Sequence, residues 1–244
     1  MVMNKLRSFA RSSTGSFVLA ITAAIIFRQS IASPYKIPSG SMIPTLKIGD
    51  FIFVNKLSYA LKFPVPLVNY NVVNFRTPKR GEVVVFIYPH NRSLDYIKRV
   101  VGLPGDKIEL KNTVLFVNDA PVEVKEYTDR AIIGDQTDDA KQYAKLSKEK
   151  TGEIDHLIMQ FPTEPSFLST NFGPITVPEG NIFVMGDNRD RSADSREWGF
   201  APITDVRGRA KFVWLSLDFE NPYFSVGSFS FPKIRWDRFG MKII

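Results

Sequence analysis

"DYIKRVVGLPGD", residues 95–106, reads as a β-strand that runs into a turn. Tyr96, Ile97, Val100 and Val101 are aromatic or β-branched and fit a pleated, half-buried surface. Gly102, Pro104 and Gly105 then stop the run. The next stretch, "KIELKNTVLFVNDAPVEV" (107–124), reads as a hairpin, with Asn112 at one turn and Asn118-Asp119 at the next. Upstream, "DFIFVNKLSY" (50–59) alternates apolar and polar residues partway, and "GEVVVFIYP" (81–89) is a β-branched run closed by proline. Downstream, "DHLIMQF" (155–161), "NIFVMGDN" (181–188) and "GRAKFVWLSLD" (208–218) complete the set. Sixteen prolines and fifteen glycines punctuate these runs. The pattern predicts a mainly β protein: an antiparallel sheet or partly open barrel.

Two regions depart from that pattern. Residues 126–153 are rich in Asp, Lys, Gln and Glu and read as an exposed insert, with a short helix around 138–148. Residues 219–244 are rich in Phe, Trp and Arg, and read as a final hairpin packed on the barrel or as an aromatic surface resting on lipid headgroups.

At the N-terminus, Lys5, Arg7 and Arg11 precede the apolar core "FVLAITAAIIF" (17–27), and no acid appears before Asp50. Between residues 12 and 35 the only charge is Arg28, which can extend its head toward an interface. The reading is an uncleaved transmembrane anchor over 12–35, with residues 1–11 in the cytoplasm and the remainder outside. A removable signal peptide and a buried helix of a soluble protein are the competing readings. The net charge of +7 suits an anionic membrane surface or a nucleic acid. No zinc-ligand pattern, recognition helix or lysine-rich tail supports nucleic acid. Absence of cysteine removes disulfides, thiol catalysis and thiolate metal sites.

Catalytic chemistry has few candidates. "IPSGSMIPTL" (37–46) carries two hydroxyls, Ser39 and Ser41, on a segment stiffened by Pro38, Gly40 and Pro44. Of the two histidines, His90 lies in a turn beyond a strand and His156 begins one, and neither has a triad-like context. Lys98 is different. Strand alternation groups Tyr96, Lys98 and Val100 on one face and Ile97, Arg99 and Val101 on the other, so each face carries a cation among apolar neighbours. One reading is an edge strand whose lysine reaches water. The other is a desolvated lysine, with a pKa low enough to take a proton from a serine. "GDNRDRSADSREWG" (186–199) fails the calcium-loop pattern, having Ser195 and Ala201 where Gly and Glu belong, and lacks the ending of a phosphate-binding loop. It reads as a salt-bridged turn, with Asp187, Asp190 and Asp194 available to Arg189, Arg191 and Arg196, or as a support that fixes the lysine.

Together, "IPSGSMIPTLKIGD", "RGEVVVF", "DYIKRVVGLPGD" and "GDNRDRSADSREWGF", in this order behind an N-terminal apolar run, resemble bacterial signal peptidase I, the leader peptidases. The resemblance spans about residues 17–217. It implies a largely antiparallel catalytic core, at 36–106 and 177–244, with a smaller β-rich domain inserted at 107–176. It also implies roles. Ser41 would be the nucleophile and Lys98 the general base. Ser39 and the Ser41 amide would form the oxyanion hole. Ser192 would hydrogen-bond the lysine ammonium, and the Asp194–Arg196 pair would support that loop. Tyr96, Ile97, Met42 and Leu46 would stand near a small S1 pocket, and Ile37 would wall S3. The implied activity is removal of signal peptides from exported preproteins after Ala-X-Ala at the outer face of the cytoplasmic membrane, with no metal or organic cofactor. Arg191, where asparagine is common, and Glu82, where aspartate is common, are small departures. A peptide-binding β module without cleavage and a self-cleaving repressor-type serine-lysine protease are the rival readings.

Overall fold

Runs of adjacent β-branched residues fold here as strands buried on both faces. All five residues of Val83–Ile87 are buried, and so are the last six of Asp95–Gly102. The computed structural model describes residues 12–62, 71–162, 170–227 and 229–244. The basic residues Lys5, Arg7 and Arg11 lie outside these. The long strands, in chain order, are β1 (Ala32–Lys36), β2 (Asp50–Asn55), β3 (Val83–Ile87), β4 (Asp95–Gly102), β5 (Lys107–Lys111), β6 (Val114–Val117), β7 (Lys145–Thr151), β8 (Ile154–Gln160), β9 (Phe172–Thr176), β10 (Asn181–Met185) and β11 (Val206–Asp218). The principal sheet has eight strands in the order β1-β2-β11-β3-β4-β10, followed by the short strand Ala201–Pro202, with Lys233–Ile234 pairing β11 from the side.

This sheet is antiparallel throughout and curls into half a barrel. Its curvature has a local cause. The register of β11 slips at three places, against β2 and against β3, and bulges of this kind bend a strand and increase its twist. Gly208 marks one of them, because a β-carbon there would lie 2.6 Å from the carbonyl oxygen of Asn55. One face of the sheet buries Ile52, Val54, Val83, Val85, Ile97 and Val213. It is covered by Ile37, Met42 and Leu46 from the segment between β1 and β2. The other face buries Val84, Phe86, Val100, Val184 and Val206 against Trp198.

The segment between β4 and β10 forms two smaller sheets. One has the order β9-β5-β6 followed by Ala120–Pro121, and the other has β7 in the centre between Val124–Glu126 and β8. The two turns expected in 107–124 are present. Asn112-Thr113 and Asn118-Asp119 all have positive φ, as the tightest hairpin turns require. The polar stretch 126–153 is less exposed than its composition suggests. Its helix stops at Tyr143, and β7 follows, burying Leu146, Ser147, Glu149 and Thr151. The reason is tertiary: the charge of Glu149 is met by a guanidinium from far along the chain.

The N-terminal helix α1 (Ser13–Ser30) is shorter than the expected span, because residues 32–36 already belong to the sheet as β1. Eighteen residues reach about 27 Å, and hydroxyls at Ser13, Thr14, Ser16 and Thr22 dilute its apolar character. Among the described residues no helix is long and apolar enough to cross a membrane. Phe17, Val18, Leu19 and Ile21 are exposed on it. The C-terminal segment contains a hairpin, a buried end and exposed aromatic residues. Phe224–Val226 and Phe229–Phe231 form a hairpin, Ile243 is buried in the core, and Phe219, Tyr223, Trp236 and Phe239 are exposed.

Candidate active site

Ser41 sits in the connection between β1 and β2, which is fixed along its length. Hydrogen bonds from Ile37 N to Asp50 O and from Gly49 N to Ile37 O close its base. Those from Ile43 N to Gly40 O and from Leu46 N to Met42 O tighten its turns. Met42 and Leu46 are fully buried and peg it to the sheet. From the far side, Asn188 donates its backbone N–H to Ser41 O and its side-chain Nδ2 to Gly40 O, each at 3.1 Å. Gly186 packs flat against the same segment. A β-carbon there would stand 2.4 Å from Ser41 O and 2.2 Å from Ser192 Oγ.

Lys98 lies in β4, which pairs with β3 on one side and, from Arg99 onward, with β10 on the other. The edge-strand reading with a solvated amine therefore does not hold: Lys98 is 4% exposed. Its Nζ lies 2.5 Å from Ser41 Oγ and 5.6 Å from the centroid of the Tyr96 ring. Burial pushes the amine down from its ordinary 10.5 to about 8. Asp194 and Asp187 pull in the opposite direction, and Arg196 adds to the lowering. Ser39 Oγ is 3.5 Å from Ser41 Oγ. Among the described residues the Ser41 amide makes no hydrogen bond, which leaves two donors beside the hydroxyl.

The loop 186–196 supports this pair. Asp194 and Arg196 pair within it, at 2.8 Å, with side chains 0% and 4% exposed. Asp194 also accepts from Gly186 N at 3.0 Å. Burial would raise the Asp194 carboxyl, and the Arg196 guanidinium overrides it and holds the carboxyl below the usual range. Asp187, Arg189 and Arg191 also reach remote partners. Asp187 takes both arms of Arg99, Arg189 takes both oxygens of Glu149, and Arg191 pairs with Asp139. Ser192 is buried beside Gly186, and its Oγ has no hydrogen bond to Lys98, whose amine is turned to Ser41 instead.

A cleft of about 500 Å³ opens over the pair. Ser39, Ser41, Tyr96, Lys98 and Asn188 line it, together with Gln136, Thr137 and Ala140 from the inserted segment. Of the five residues expected around the specificity pockets, Tyr96 lines the cleft directly. Ile37, Met42, Leu46 and Ile97 are packed together in the core behind it. The period of two along β4 explains the split, since Ile97 faces away from Tyr96 and Lys98. His90 is exposed and stacks on Tyr88, while His156 is buried 3.0 Å from Thr151 Oγ1, and neither lines the cleft. Among the described residues no group of acids and histidines could hold a metal ion. Sequence reading missed Gly186, Asn188 and Glu149. The first two stand in the quoted loop, but what they touch is about 150 residues away in the chain.

Residues 10–215 match the family described as signal peptidase, peptidase S26. A signal peptidase I of Pseudomonas fluorescens is 38% identical over 212 residues, covering 82% of this chain and 71% of that protein. One from Pseudomonas aeruginosa is 38% identical over 216 residues with the same coverage. One from Rickettsia prowazekii is 37% identical over 219 residues, covering 83% and 79%. A crystal structure of a signal peptidase I from Enterococcus faecalis is 29% identical, covering 55% of this chain and 97% of that one, with a TM-score of 0.33. The protein is therefore a serine endopeptidase, a hydrolase. The chain belongs to the S26 family of signal peptidases.

Proposed function

We propose that this enzyme removes N-terminal signal peptides from exported preproteins, with Ser41 as nucleophile and neutral Lys98 as general base. The observation that carries the mechanism is the 2.5 Å approach of Ser41 Oγ and Lys98 Nζ, made by a lysine only 4% exposed. A neutral amine takes the hydroxyl proton as Ser41 attacks the carbonyl of the residue before the cut. The oxyanion that forms is met by Ser39 Oγ and the Ser41 amide. Such preorganised donors are worth roughly 3 kcal/mol each in the transition state. Protonated Lys98 then gives its proton to the leaving amine, and the neutral amine activates the water that releases the acyl-enzyme.

Substrate binding follows from the sheet. Residues 95–98 pair with β3, whereas the partner on the other side begins only at Arg99, so their second edge is open beside the cleft. An extended preprotein segment can add there as a strand. Close packing of Ile37, Met42, Leu46 and Ile97 supports shallow pockets behind the dyad, which suit alanine and an Ala-X-Ala site. The exposed apolar residues of α1 and the net charge of +7 support attachment to an anionic membrane; the proposed role places it at the outer face of the cytoplasmic membrane, where preproteins emerge.

The test is incubation with a preprotein carrying Ala-X-Ala, followed by mass measurement. Cleavage in trans after the second alanine is the expected result, and products of self-cleavage alone would point to the repressor-type reading. Ser41→Ala and Lys98→Ala should each abolish cleavage while the fold persists. Near-normal turnover by either variant would overturn the dyad.

A further inference from the structure

Asn188 holds the nucleophile segment twice. Its backbone N–H binds Ser41 O and its Nδ2 binds Gly40 O, each at 3.1 Å. The second contact matters for chemistry. Gly40 C=O and Ser41 N–H belong to one peptide unit, and that unit is planar and trans, so the two groups point in opposite directions. Whatever fixes the carbonyl of Gly40 therefore fixes the direction of the Ser41 N–H. A carbonyl partner also requires the amide nitrogen of Asn188, not its oxygen, to face Gly40.

The side chain does little else. Asn188 is 4% exposed, and its Oδ1 is buried with no hydrogen bond among the described residues. Leaving a buried acceptor unpaired costs about 1–3 kcal/mol. A leucine-like residue would fill the space without that cost, so the contact with Gly40 is the feature that distinguishes asparagine here. Asn188 is itself held by the inserted segment. It bridges to Met159 on β8, Met159 N donates to Asp187 O, and Arg189 N donates to Met159 O. Arg189 in turn is gripped by Glu149 on β7.

We propose that Asn188 is a positioning residue for the oxyanion hole: it orients the Ser41 amide by holding the Gly40 carbonyl, and β8 holds it in register. The inference rests on the reading of Ser41 as nucleophile. Two ligands test it. A signal-sequence peptide ending in an alanine aldehyde forms a tetrahedral adduct with Ser41, in which the Ser41 proton passes through Lys98 to the former aldehyde oxygen. The same peptide ending in a carboxylate is the ground-state comparison. Asn188→Ala and the similarly sized Asn188→Leu, which lacks the donor and adds no charge, should each lower kcat and aldehyde affinity roughly 10- to 100-fold. KM and carboxylate-peptide affinity should stay within about twofold, and the pH midpoint of activity should not move, because Lys98 is untouched.

Unchanged kcat and aldehyde affinity in Asn188→Ala would overturn the proposal, as would equal weakening of both ligands in both variants. If Asn188→Ala does not fold, Asn188→Leu decides on the same readouts. A parent enzyme that binds the aldehyde no better than the carboxylate, or a fully active Ser41→Ala, would instead remove the reading of Ser41 on which the proposal stands.

Discussion

The amine of Lys98 must be neutral to accept a proton, and water would keep it charged. Its burial supplies the difference, bringing the pKa to about 8. Cleavage rate should therefore rise with pH as a single ionisation centred near 8 and level off above it. A profile flat from pH 5 to 9, measured on a short peptide, would count against this. The same shift makes a statement about stability. The unfolded lysine binds its proton up to 10.5 and the folded one only to about 8, so folding gains stability as pH rises through that window and loses it as pH falls. The difference is on the order of 3 kcal/mol. Lys98→Met should thus stabilise the fold more at pH 7 than at pH 10, by urea titration against the parent. At Gly186 the constraint is space. Gly186→Ala would drive a methyl into Ser41 O and Ser192 Oγ, and a displacement near 1 Å costs roughly 100-fold in rate. Near-parental turnover would show that the loop yields freely.

At the scale of elements, most strands were legible, because a β-branched run bounded by proline or glycine has few alternatives. The run 107–124 is the clearest case: its turn residues demanded positive φ and adopt it. β7 was not legible. Its sequence, KLSKEKT, is polar, and Glu149 is buried only because Arg189, 40 residues on, supplies both arms of its guanidinium. Burial alone would raise the Glu149 carboxyl, but Arg189 and His156 hold it far below the usual carboxylate range. Removing one partner of such a pair strands the other charge in the interior, which costs about 3–5 kcal/mol. Glu149→Ala should lose about that much by thermal or urea unfolding, and the surviving fold should cleave slowly, since Arg189 adjoins Asn188. The remote partners of Asp187 and Arg189 were hidden for the same reason: a sequence shows which residues can pair, not which pairs the sheet brings together. Ser41 and Lys98 were legible as reactive types, but their approach depended on the curl of the sheet.

For the whole molecule, α1 leads into the first strand of the catalytic sheet, with Phe17, Val18, Leu19 and Ile21 exposed. If it attaches the enzyme to lipid, a variant lacking residues before 31 should cleave short peptides at parental rate. The same variant should no longer co-sediment with anionic vesicles. Parental co-sedimentation by that variant would place the attachment elsewhere, with the exposed aromatics of 219–239 the next surface to test.

The strand order carries a consequence for synthesis. β11 is the last of the long strands to leave the ribosome, yet it lies between β2 and β3. In the finished sheet residues 206–218 lie between the hairpin carrying Ser41 and the hairpin carrying Lys98 and join their edges. A nascent chain can complete neither half of the dyad's setting early, and such long-range pairing is slow to form. The reactive pair therefore takes its final setting only after residues 206–218 have joined the sheet, late in the order of the strands.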